Sequence, residues 1–123
     1  MRIGIIEDND IILEMLKTAF SMHGHEVVLY KTGFAFLLSH PAEQPLDVLL
    51  VDLLLPGGLT GVETLQSFYQ ITPASTLPII VVSGAGDPML QSLRQNFPTI
   101  AVVIKPPSLR RLIQMVEHVS SSA

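Results

Sequence analysis

The chain has 123 residues, 48% apolar and 15% charged, with a formal net charge of -4 and no cysteine. That length suits one domain with a filled core. The acidic balance argues against a nucleic-acid footprint, which needs clustered Lys and Arg, and the missing cysteines exclude disulfides, thiolate metal sites and a Cys nucleophile.

No apolar run approaches the roughly 18 residues of a membrane span. Met1-Arg2-Ile3-Gly4 enters a strand pattern at once and leaves no room for a signal peptide. A soluble cytoplasmic domain is expected over residues 1–119, with a frayed tail or the start of a linker at 120–123.

Residues 2–6 read as a buried strand, broken by Asp8-Asn9-Asp10, with Asp10 as the expected N-cap of a first helix. Ile12, Met15, Leu16, Ala19 and Phe20 follow the spacing of an amphipathic stripe, and Gly24 ends the helix. Met15, Met22 and Met115 read as core filler. Glu26 to Tyr30 is a second strand, and Thr32-Gly33 opens a second helix that runs to about Ser39. The strand at 47–52 is an apolar run that ends on a carboxylate, Asp52. A turn-rich loop follows, then a third helix from about Val62 to Ile71.

Residues 78–82 form the fourth strand, and Asp87-Pro88 reads as N-cap plus first-turn proline of a fourth helix that turns Leu90, Leu93 and Phe97 inward. The fifth strand is Ile100 to Ile104. Ser108 caps a last helix with Leu109, Leu112, Ile113, Val116 and Val119 on its apolar stripe. Strand and helix alternate five times, which implies right-handed crossovers and a doubly wound parallel sheet. A dinucleotide site is excluded at the first turn, because it is acidic and lacks G-x-G-x-x-G.

In open parallel sheets, ligands bind at the carboxyl ends of the strands. Four of the five strands place a polar group there: Glu7-Asp8, Asp52, Ser83 and Lys105. Glu7, Asp8 and Asp52 offer a hard-cation site suited to Mg²⁺, which prefers oxygen ligands. A carboxylate such as Asp52 can also attack a phosphoryl group and form an aspartyl phosphate. Lys105 and the Ser83 hydroxyl can balance charge on the other phosphoryl oxygens. Each part alone reads as a cap, a turn residue or a surface ammonium. Their recurrence at strand ends in one order carries the functional reading.

Over essentially its whole length the chain resembles the receiver domain of two-component response regulators. Glu7-Asp8 matches the paired acids, Asp52 with Leu53-Leu54-Leu55-Pro56 the phosphoacceptor and its apolar-proline run, Ser83 the switch hydroxyl, and Lys105-Pro106 the Lys-Pro pair. The resemblance implies a flavodoxin-like five-stranded sheet of order 2-1-3-4-5 with five helices. It implies phosphoryl transfer from a histidine kinase or histidine phosphotransfer protein to Asp52. Mg²⁺ would be held by Asp8, Asp52 and the Leu54 backbone carbonyl, and through water by Glu7. The Lys105–Pro106 peptide would be cis. Such a domain is not an enzyme toward an external substrate; it takes part only in its own phosphorylation and dephosphorylation. An output domain or a homodimer would use the face made by the fourth helix, fifth strand and fifth helix. No nucleic acid or membrane is bound directly.

The sequence departs from the family pattern in three places. Gly61 falls one place late, so the loop after Asp52 is one residue longer. Val102 stands where the family usually has Tyr or Phe, three residues before the lysine. Leu54 and Ala85 flank the site and cannot orient an attacking water. The missing ring leaves a rival reading, an interaction module of receiver shape that phosphorylation does not control. A flavodoxin-like cofactor binder or a small phosphatase is a third class. A flavodoxin needs a first loop rich in Ser, Thr and Gly, and this one is acidic.

Overall fold

The computed structural model describes residues 1–40, 45–52, 60–73, 75–83, 89–97, 100–104 and 109–121. Its elements are β1 (Arg2–Ile6), α1 (Asp10–Met22), β2 (Glu26–Tyr30), α2 (Gly33–Ser39), β3 (Val48–Asp52), α3 (Gly61–Ile71), β4 (Ile79–Ser83), α4 (Met89–Asn96), β5 (Ala101–Ile104) and α5 (Leu109–Ser121). The strands form one sheet in the order β2-β1-β3-β4-β5, and every pairing is parallel. This is the doubly wound architecture expected from the alternation. Among the described residues, no helix is long and apolar enough to cross a membrane.

Strand side chains alternate between two cores. On one face Ile3, Ile5, Val48, Leu50 and Ile80 meet Leu13, Leu16 and Phe20 of α1 and Leu112, Ile113 and Val116 of α5. On the other, Ile6, Leu49, Val51, Ile79 and Val81 meet Phe36 of α2, Leu65 and Phe68 of α3, and Leu93 of α4. All five residues of β3 are buried, because helices cover both faces of this central strand.

Three expectations need correction. The N-cap of α1 is Asn9 and not Asp10; its side chain accepts from the Ile11 and Ile12 backbone N–H groups at 2.9 and 3.1 Å. Two of the best capping residue types stand side by side, and the helix starts one residue earlier than its apolar pattern suggests. The buried stripe of α1 is Leu13, Leu16 and Phe20, while Ile12 and Met15 are exposed at 41% and 50% and Met22 at 81%. The helix carries two overlapping apolar stripes, and spacing alone does not fix which faces the sheet. Met115, in contrast, packs against the core. Finally, α5 continues through Ser121, so Ser120 and Ser121 belong to the helix. No Gly or Pro stands there to stop it.

Two glycines set the packing. Gly24 takes a φ of 83° just beyond the end of α1, a left-handed conformation that lets the chain reverse into β2. Gly33 opens α2 against Thr64 of α3, where any Cβ would collide with the Thr64 Oγ1. The α2 N-cap is Thr32, whose hydroxyl accepts from the Ala35 N–H at 3.0 Å. Thr60 and Glu63 close a capping box on α3.

The expectations for the 53–59 loop, the Leu54 carbonyl, Ala85, the Asp87-Pro88 helix start, Lys105, the Lys105–Pro106 peptide and the Ser108 cap lie outside the described residues.

Candidate functional site

The site follows from strand register. Ile6 of β1 pairs with Val51 of β3, so the next residues, Glu7 and Asp52, stand side by side at the carboxyl edge. The ladder extends to this level, since the Glu7 N–H donates to the Tyr30 carbonyl at 3.0 Å. Residues 3, 5 and 7 share one strand face, as do 48, 50 and 52. The buried members of both series face α1 and α5. Glu7 and Asp52 are therefore presented on the side where α1 begins, and Asp8 leads into that helix.

The carboxylates of Glu7, Asp8 and Asp52 offer ligand oxygens that all lie within 4.8 Å of one another. Glu7 and Asp52 are 7% and 6% exposed, whereas Asp8 is open to solvent. Charges this close and this buried repel one another, and little water is present to screen them. Such a set is favourable when a divalent cation shares it, and an all-oxygen donor set suits Mg²⁺.

Neighbours hold the three acids apart from a fourth. The Asn9 N–H donates to Glu7 Oε1 at 3.4 Å, a long contact that nonetheless orients the carboxylate. Asp10 turns outward to Lys31, with Nζ 2.8 Å from Oδ1. The hydrogen bond to Asp10, and then its charge, hold the Lys31 ammonium above its ordinary pKa. The run Asp8-Asn9-Asp10 thus divides its work: Asp8 joins the cluster, Asn9 caps α1 and braces Glu7, and Asp10 pairs at the surface. Sequence reasoning assigned no role to Asn9 or Lys31. The preference of Asn for N-caps was the available signal for the first, and nothing in the spacing marked the second.

The remaining strand ends line up along the same edge. Asp52 pairs with Val82, and Val82 with Val103, followed by Ser83 with Ile104. Ser83 is the last residue of β4, so its backbone stands one residue beyond the level of Asp52. Lys105 follows Ile104 in sequence and lies outside the described residues. Val102 pairs with Val81 and packs against the α2–α3–α4 core.

The histidines do not gather into a ligand set. His25 links the amino group of Met1, 3.3 Å from Nδ1, to Glu117 of α5, 3.0 Å from Nε2. His40 stacks on Phe36 with centroids 4.9 Å apart. Arg110 and Arg111 are exposed on the first turn of α5.

Comparison with known proteins agrees with this geometry. The family model of the response regulator receiver domain matches residues 3–117. Response regulator RR06 of Streptococcus pneumoniae is 27% identical over 117 residues, covering 95% of this chain and 52% of that protein. The transcriptional regulatory protein YrkP of Bacillus subtilis, itself uncharacterised, is 30% identical over 82 residues, covering 67% of this chain and 33% of that protein. The chain thus spans about half the length, or less, of these curated relatives. A CheY-like receiver domain protein of Methanospirillum hungatei has a crystal structure that superposes with a TM-score of 0.85 at 25% identity, covering 98% of this chain and 94% of that one. Because sheet order, acidic edge and matched span all agree, the chain belongs to the response regulator receiver domains of two-component systems.

Proposed function

We propose that this receiver domain accepts a phosphoryl group on Asp52 from a phosphohistidine donor and transmits its presence to a partner. One observation carries the reading: three carboxylates converge at the carboxyl edge of a parallel sheet, two of them buried. A surface cap does not need that arrangement. A phosphoacceptor does.

An Asp52 oxygen attacks the phosphorus of the donor. The nitrogen–phosphorus bond breaks, its electron pair returns to the imidazole, and an acyl phosphate forms on Asp52. The burial of Asp52 keeps that product away from bulk water. Asp8 and Asp52 are the direct ligands proposed for Mg²⁺; the Leu54 carbonyl and, through water, Glu7 would complete the set. When bound, the ion neutralises charge on the transferring group. In this reading Lys105 would pair with a second phosphoryl oxygen, and the Ser83 hydroxyl would donate to a third. Leu54 and Ala85 have no side-chain group to position a water, so the domain's own dephosphorylation is slow. The exposed apolar stripe of α1, with Ile11, Met15 and Met22, starts one turn from Asp8. It supports docking of a histidine kinase or phosphotransfer protein over the cluster.

Acetyl phosphate with Mg²⁺ is expected to add one phosphoryl group to the intact protein, seen by mass, and EDTA should prevent it. No adduct, or an adduct that forms equally in EDTA, contradicts the reading.

The ligand roles separate by mutation. Asp8→Ala should lose most of the Mg²⁺-induced rise in melting temperature, and Glu7→Gln less. Without metal, Asp8→Ala should melt at or above the parent, because one of three repelling charges is gone. A full Mg²⁺-induced rise in Asp8→Ala rules out direct ligation by that residue.

A further inference from the structure

The ion pair between Lys31 and Asp10 stands at the rim of the acidic cluster. Ile6 of β1 is in register with Tyr30 of β2, and the Glu7 N–H donates to the Tyr30 carbonyl at 3.0 Å. Lys31, the next residue, therefore leaves the sheet beside Glu7. Val27 and Leu29 of β2 pack toward the core made by α1 and α5, and Lys31 continues their alternation onto that face. Asp10, which meets it there, is the first residue of α1 and lies two residues beyond Asp8.

The pair opens at little cost. Its side chains are 66% and 70% exposed, with Nζ 2.8 Å from Oδ1. An exposed pair of this kind adds little to stability, because water solvates both charges once they part. The ammonium is carried on a flexible four-carbon stem. Only β1 separates β2 from β3, so Lys31 stands roughly 10 Å from Asp52 at the usual spacing of strands. That is about one Debye length at 0.1 M ionic strength, so the Lys31 charge is felt over the cluster. The cluster itself gives a donor little attraction. A divalent cation and the Lys105 ammonium would only balance its three carboxylates. A phosphoryl donor arrives as an anion, and Asp10 adds a fourth acid at the rim.

We propose that Lys31 is the entry cation for the phosphoryl donor: it leaves Asp10, pairs with the donor's anionic oxygens at the rim of the cluster, and hands them on to the site at Asp52. Asp10 is its resting partner and competes with the donor for it. The step is an exchange of ion pairs, with no bond made or broken. Its effect is on delivery of the donor, where a single charge beside a cleft raises the local concentration of the opposite charge. The inference rests on the phosphoacceptor reading of Asp52.

Labelling by acetyl phosphate, an anion at neutral pH, tests the role, with Mg²⁺ saturating and intact mass as the readout. At an ionic strength of about 0.05 M, Lys31→Ala should lower the bimolecular labelling rate roughly two- to fivefold, and Lys31→Arg should restore most of it. The gap between parent and Lys31→Ala should close to less than about twofold near 1 M salt. Asp10→Asn should quicken labelling, because Lys31 is released and one acid is gone. Lys17→Ala, which removes the same charge from an exposed position in the middle of α1, should stay close to the parent. A merely structural pair would behave otherwise. Asp10→Asn and Lys31→Ala both break it, so both would shift the rate in the same direction. An unchanged rate in Lys31→Ala, or a fall in both variants, overturns the entry role and leaves the acceptor in place. No adduct on the parent overturns the phosphoacceptor reading, and the entry role with it.

Discussion

Asp52→Asn should abolish phosphorylation while leaving the fold intact. Asparagine has the shape of aspartate, so the buried position at the end of β3 stays filled. Its amide oxygen is neutral and a far weaker nucleophile, so no stable acyl phosphate forms. The mass spectrum after acetyl phosphate and Mg²⁺ should show only the unmodified chain, against a clear adduct in the parent. Metal-free stability should hold or rise, because one of three crowded charges has been removed. The Mg²⁺-induced rise in melting temperature should shrink. Labelling of Asp52→Asn at the parent's level would place the acceptor elsewhere.

Phe36→Ala should cause the largest loss of stability, about 3–5 kcal/mol. The ring is fully buried. It meets Tyr30 edge-on at 5.3 Å, His40 face-on at 4.9 Å and Phe68 at 5.6 Å. Removing it opens a cavity between β2, α2 and α3, and the rigid rings around it collapse poorly. Two residues earlier, Phe34 is 52% exposed, and Phe34→Ala should stay within about 0.5 kcal/mol. Urea unfolding of both variants gives the comparison. Similar losses at the two positions would mean that α2 is rotated from the orientation described here.

The sheet and its acidic edge were legible because the signals there were redundant. β1 and β3 are unbroken apolar runs that end on acids, and such runs fit only strands covered on both faces. Helix α1 was less legible. Ile11, Ile12 and Met15 compete with Leu13, Leu16 and Phe20 for the inward face, and periodicity is blind to phase. The choice is made by the sheet surface, a tertiary property. The cap was ambiguous for a local reason, since Asn9 and Asp10 both suit it. The capping box of Thr60 and Glu63 is readable at their three-residue spacing, although the glycines before it read equally well as a turn. The proximity of Glu7, Asp8 and Asp52 required both strand order and register. The first could be expected by resemblance, whereas the second appears only in the pairing of Ile6 with Val51. The stacking of Tyr69 of α3 on Phe97, the residue after α4, had no sequence signal, because the two residues belong to different elements and follow no motif.

Chemical trapping tests the central claim most directly. Borohydride reduces an aspartyl phosphate to homoserine, which marks the phosphorylated position permanently. The protein is treated with acetyl phosphate and Mg²⁺, reduced, digested and mapped by mass. Homoserine at position 52 alone, lost when EDTA replaces Mg²⁺, is the predicted result. Homoserine at position 8 or 10, or none anywhere in a fully covered map, would contradict the account.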